Sequence, residues 1–189
     1  MSKPTYHVLL ALVACLALAA AASAKKPPPL RRVASKDAVT LEIAGPTDAQ
    51  AVAAYQRAIT LSGLEAKVYL NIKGDKAIKV VAAVGKTTDL GPFGKAVMTA
   101  VPTRPGQLPP ALELLIYAPL TKENSQQAMA QLEKVKGVDA KHSTMDVKKG
   151  SLRVRISGAE RVTVEDILNA VQSAGVAPQL AKVGRAKKI

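Results

Sequence analysis

Lys148-Lys149-Gly150-Ser151-Leu152-Arg153-Val154-Arg155-Ile156, preceded by Gly137-Val138, is the stretch whose reading decides the fold. Leu152, Val154 and Ile156 point to one side of an extended chain and Arg153 and Arg155 to the other, which predicts an amphipathic strand. The Lys-Gly turn ahead of it joins that strand to an earlier one as a hairpin. The earlier segment, Val138 to Val147, changes alternation phase between Ala140 and Met145, which predicts a bulge. Outward from the hairpin, a helix is expected on either side. Ala128, Leu132 and Val135 mark the inward face of the first, and Gly137 ends it. In the second, Val164, Ile167, Leu168 and Val171 recur at i, i+3, i+4 and i+7. Thr163 caps it, with Asp166 in the capping-box region, and Gly175 stops it. Leu112, Leu114 and Ile116 add a strand in front. From Ala111 to Leu180 the order is therefore strand, helix, strand, strand, helix, short strand.

The upstream half repeats this order. Val39-Thr40-Leu41-Glu42-Ile43 alternates as a half-buried strand, and Thr47 or Asp48 is a natural N-cap for a helix carrying Val52, Tyr55 and Ile59 on one face. Gly63 stops it. Ala66, Val68, Leu70 and Ile72 alternate with polar neighbours, and Lys73-Gly74-Asp75-Lys76 turns the chain into Ala77 to Val84. A short helix is expected from Pro92 to Ala100. Leu41, Ile43, Gly45, Pro46, Asp48 and Ile59 lie 73 residues before Leu114, Ile116, Ala118, Pro119, Thr121 and Leu132. A constant offset across strand, turn and helix predicts an internal duplication. The fold class expected is α+β: two tandem ferredoxin-like βαββαβ units, each an antiparallel sheet with its helices on one face. The first unit should span 37–101 and the second 111–181. The Pro-rich linker 102–110 between them holds four prolines and no convincing closing strand for the first unit. The two units are expected to fold independently.

Composition adds a compartment. Lys3, the apolar run Val8 to Ala22 and Ala22-Ser23-Ala24 predict a signal peptide over 1–24, too short to span a bilayer as a helix. The expected location is the periplasm or cell envelope. Lipid attachment at Cys15, within Leu12-Val13-Ala14-Cys15, is the alternative, although the chain stays apolar after that cysteine. Cys15 is the only cysteine, so the cleaved chain would hold no disulfide or thiolate site. The formal charge of +13 gathers at the ends. A basic Pro-rich spacer, 25–36, and a basic tail, 182–189, leave 17 basic against 14 acidic residues in the body. Such ends suit weak binding to an anionic lipid or polymer.

With these residues in place, the second unit resembles the heavy-metal-associated domain of copper chaperones and metal-transporting ATPases. The residues that carry the resemblance are Leu114-Leu115-Ile116, Gly137-Val138, Gly150, Leu152-Arg153-Val154 and the Ile167 to Gly175 run. The first unit resembles it more faintly. The resemblance implies a ferredoxin-like fold, metal handling and a transition-metal ion as ligand. It also implies a Cys-x-x-Cys loop at the start of each unit's first helix. Here Asp48 and Ala51, and Thr121 and Asn124, stand where the cysteines would be. None is the thiolate or thioether donor that copper(I) needs. His142 and Met145, three positions apart, are the remaining candidate ligands, since His142 is the only histidine after the leader.

Other functions are less well supplied. No nucleophile with a paired base and no Gly-rich phosphate loop is present, so no enzyme is expected. RNA-recognition modules share the strand order but stack bases on aromatics in the central strands. The matching strands here, Ala77 to Val81 and Leu152 to Ile156, have none, so nucleic acid is not an expected partner. No membrane span is expected after the leader. Two functions stay open: an exported metal-handling module, and an envelope interaction protein that binds a protein or anionic partner.

Overall fold

The computed structural model describes residues 38–70 and 77–181. The leader with Cys15, the spacer, the Lys73–Lys76 turn and the basic tail lie outside the described residues. Seven strands build one sheet: β1 (Ala38–Ala44), β2 (Ala66–Leu70), β3 (Ile78–Ala83), β4 (Ala111–Tyr117), β5 (Thr144–Asp146), β6 (Ser151–Ile156) and β7 (Gln179–Leu180). Helices α1 (Ala49–Leu61), α2 (Gly91–Ala100), α3 (Lys122–Leu132) and α4 (Val164–Ser173) complete the described elements. Among the described residues no helix is long and apolar enough to cross a membrane.

Alternation explains which side of the sheet the helices take. Leu41 pairs with Val80 on one side and Leu114 on the other, and Leu114 pairs with Val154. These four side chains share a face and are fully buried. Tyr55, Ile59, Val97, Leu132, Ile167 and Val171, from all four helices, join them in one core cluster. Each helix begins where the sequence supplies a cap or a proline. Asp48 caps α1, Thr121 and Thr163 head capping boxes on α3 and α4, and a proline lies in the first turn of α2. The class is α+β, with the order βαββα in the first repeat and the split βαββαβ order in the second.

The two repeats share what each was expected to own. In strand order β2-β3-β1-β4-β6-β5, the place beside β1 that a closing strand of the first repeat would take is filled by β4. The Pro102–Pro110 stretch forms no strand, because proline donates no ladder hydrogen bond. The free edge of β4 is divided: residues Ala111 to Leu114 pair with β1, while Ile116 and Tyr117 pair with β7. Independent units are therefore not what the sheet presents. One sheet and one core run through both repeats, and all described residues belong to a single compact unit.

The pairing also exposes a two-fold relation. Leu41 lies opposite Leu114, its own counterpart in the duplication. The registers of the hairpins show that the offset slides from 73 to 74 after the first helix, since Leu41 faces Val80 and Leu114 faces Val154. With that offset Asp89 corresponds to Thr163, and these two also meet in an antiparallel bridge. Two self-equivalent contacts thus mark a pseudo-dyad between β1 and β4. Near it Leu90 N donates to Val162 O at 2.7 Å, and Asp89 accepts from Val162 N at 3.2 Å. Close packing seals the seam. A Cβ at Gly94 would come within 2.8 Å of Ile156, and the Gly158 backbone, at φ +69°, lies against Lys95.

The expected bulge in the hairpin is something else. Ala140–His142 form a 3-10 turn, and only Thr144–Asp146 are strand. The cause is local. Ser143 Oγ donates to Asp139 O at 2.9 Å and accepts from Arg155 N at 3.0 Å. A side chain thereby holds a strand amide where a ladder would have used backbone.

Candidate functional site

The loops at the starts of α1 and α3 are the places where the heavy-metal-associated pattern puts its ligands. In the first, Asp48 Oδ1 accepts from Ala51 N at 2.9 Å, and Ala51 itself is buried against the core. In the second the cap is reciprocal. Asn124 Oδ1 accepts from Thr121 N at 2.7 Å, and Thr121 Oγ1 accepts from Asn124 N at 3.2 Å. The remaining Asn124 amide donates to Pro119 O at 3.1 Å. Sequence explains this: Thr at the N-cap with a short polar acceptor three residues on satisfies two orphan amides at once. Asp48 Oδ1, Thr121 Oγ1 and Asn124 Oδ1 each accept from a backbone N–H group. A soft transition-metal ion does not fit this donor set.

One group of the helix that follows the first loop is left over. The Tyr55 hydroxyl is buried with no hydrogen-bond partner among the described residues, and it sits beneath Gly45. Burial, with the Asp48 charge added, pushes its pKa up to about 12.

His142 and Met145 each have partners of their own. His142 Nδ1 lies 2.8 Å from Asp139 Oδ2, and that carboxylate also approaches Arg155 Nε at 3.5 Å. Met145 pairs across to Leu152 and packs against the core. Among the described residues no group of three His, Cys, Asp or Glu side chains is placed to hold a metal ion.

A charged row on the side of the sheet away from the helices escaped the sequence reading. In register across four strands stand Lys79, Glu42, Glu113 and Arg155. Glu42 Oε2 accepts from Arg153 Nε at 2.8 Å. Arg155 donates to Pro109 O and reaches Asp139. Glu113, 8% exposed, lies between these pairs and directly opposite Glu42. Burial raises its pKa above the usual carboxylate value; Arg155 and Arg153 oppose the rise and Glu42 adds to it. Alternation had shown that Arg153 and Arg155 share a side. Their partners, up to 111 residues away, carry no local signal.

No known protein family matches the sequence by pattern, and no curated protein matches it. Among solved structures, the chain is similar to the water-soluble region of the P-type ATPase CopA from Bacillus subtilis. The identity is 15%, the match covers 76% of this chain and 89% of that one, and the TM-score is 0.32. The fold class stands on the strand order and connectivity above: an α+β protein of two ferredoxin-like repeats in one sheet.

Proposed function

We propose that this chain is an exported, non-catalytic binding module of the heavy-metal-associated type, whose metal loops have become helix caps. The observation that carries the reading is the reciprocal Thr121–Asn124 cap at the very positions where the resemblance calls for two sulfurs. In that family the two thiolates sit at a helix start, where the backbone dipole lowers thiol pKa. Here the same amides are satisfied by a hydroxyl and an amide oxygen. The scaffold then serves to present a surface to an envelope partner rather than to carry copper.

Copper(I) titration against a thiol chelator tests this. The wild-type chain is expected not to compete. The double substitution Thr121→Cys, Asn124→Cys is expected to create tight binding, because strand, turn and helix already set the spacing. Successful competition by the wild type would overturn the reading and direct attention to His142 and Met145. A folded but inert double variant would show that this loop does not correspond to the family's.

A further inference from the structure

The outward face of α4 and the far end of α3 border a shallow, open cleft of about 460 Å³. Val135 and Ala170 are its apolar lining residues, and three of the others are basic. Lys134 and Lys136 come from the turn after α3, and Arg161 from the loop before α4. Position alone accounts for part of this, since cations after a helix complement its negative end. Lys134 fits that role and leans on Gln131, at 3.2 Å. Lys136 and Arg161 stand further on, and among the described residues neither forms an ion pair. The one carboxylate in the cleft, Asp166, spends an oxygen on the Thr163 amide and hydroxyl, at 2.9 and 2.7 Å. Three cations, Lys134, Lys136 and Arg161, therefore line a cleft that has one carboxylate, Asp166, whose charge Arg161 already feels. Both sides of the cleft belong to the same compact unit.

We infer that this cleft binds a small ligand bearing two or more anionic oxygens, with Lys136 and Arg161 as its principal contacts. Charge-assisted hydrogen bonds from a guanidinium and an ammonium suit phosphate or carboxylate oxygens alike. Asn169 adds a neutral donor on the α4 wall. The inference is separate from the metal question, because the cleft lies away from both capped loops and is tested without copper.

Pyrophosphate and citrate, titrated separately into the full chain at physiological salt and followed by amide NMR, provide the test. Either ligand should shift amides of Gln131 to Lys136 and of Arg161 to Ser173 with a saturable curve; which one does so identifies phosphate or carboxylate as the source. Lys136→Gln with Arg161→Gln should weaken that ligand by at least roughly tenfold while leaving thermal unfolding unchanged, since both residues are exposed. Lys67→Gln, on the far edge of the sheet, should not. Shifts spread over the whole surface, shifts at neither ligand, or an unaltered affinity in the double variant would each overturn the inference.

Discussion

Glu113 is a carboxylate that water barely reaches, and the residue directly across from it is another carboxylate. Like charges facing each other across a strand pair cost a few tenths to about 1 kcal/mol. Arg153 is already bonded to Glu42, and Arg155 to Asp139 and the Pro109 carbonyl, so neither arginine belongs to Glu113 alone. The upward displacement of its pKa from 4.5 means that the folded state binds this proton more tightly than the unfolded chain does. Its stabilising contribution is fully present below the unfolded value and is lost as pH rises through the folded one. Glu113→Gln is therefore expected to stabilise the protein at neutral pH by a few tenths to ~1 kcal/mol. It should also flatten the stability profile just above the usual carboxylate range. Urea unfolding at a series of pH values measures both effects. A Gln variant that is less stable at neutral pH would show that the two arginines outweigh burial and Glu42. Asp166 runs the other way: hydrogen bonds from Thr163 hold its carboxyl below the usual range, so its share of stability is lost only in acid.

At the scale of elements, β2 is an outer strand of the sheet and needs protection from pairing with other chains. Gln56, on α1, supplies it. Its Oε1 accepts from Val68 N at 2.7 Å and its Nε2 donates to Ala66 O at 3.4 Å, so the side chain mimics an adjoining strand for one residue pair. Gln56→Ala should cost about 1 kcal/mol and raise concentration-dependent association, seen by sedimentation velocity. Association no greater than wild type's would mean that the edge is blunted by something else. Nothing in the sequence around Gln56 announces this role, because its partners lie 10 and 12 residues on, across a turn. The elements themselves were far more legible. Alternation placed β1, β3, β4 and β6, and Asp48, Thr121 and Thr163 begin α1, α3 and α4 where a short polar residue precedes an apolar period. The hairpin's first strand misled because Ser143 and Asp139 replace a ladder with side-chain bonds, which reads in sequence as a phase change. The candidate site was legible as a departure from a family pattern. That Thr121 and Asn124 cap one another follows from their spacing, but the sharing of β4 depends on contacts that no window of sequence contains.

For the whole molecule, that sharing decides how the repeats depend on each other. The first repeat has no closing strand of its own among the described residues, and α2 packs over β4 instead. Trypsin should still cut the exposed linker near Arg104. The two pieces are then expected to leave a native gel-filtration column together and to separate only in denaturant. A C-terminal piece that elutes alone and stays folded would show that the shared sheet is dispensable to it. Legibility ends at this level for a physical reason: the duplication is visible as an offset, but whether two copies sit apart or merge depends on which edge each leaves unpaired.

The contact between Leu41 and Leu114 has a further consequence. Two equivalent strands lying antiparallel about a dyad is the arrangement of a symmetric homodimer. Here the halves are joined by a short tether, which holds one half at millimolar local concentration around the other, whatever the dilution of the protein. A true homodimer must use every interface residue twice, once from each side. A tethered one is released from that duty. The ion pair of Glu42 with Arg153 shows the release at work: its mirror positions are Leu115 and Lys79, where no such pair is possible. The seam is thus free to specialise, with charge on one side of the axis and hydrocarbon on the other, and each half can lose a feature that its twin retains.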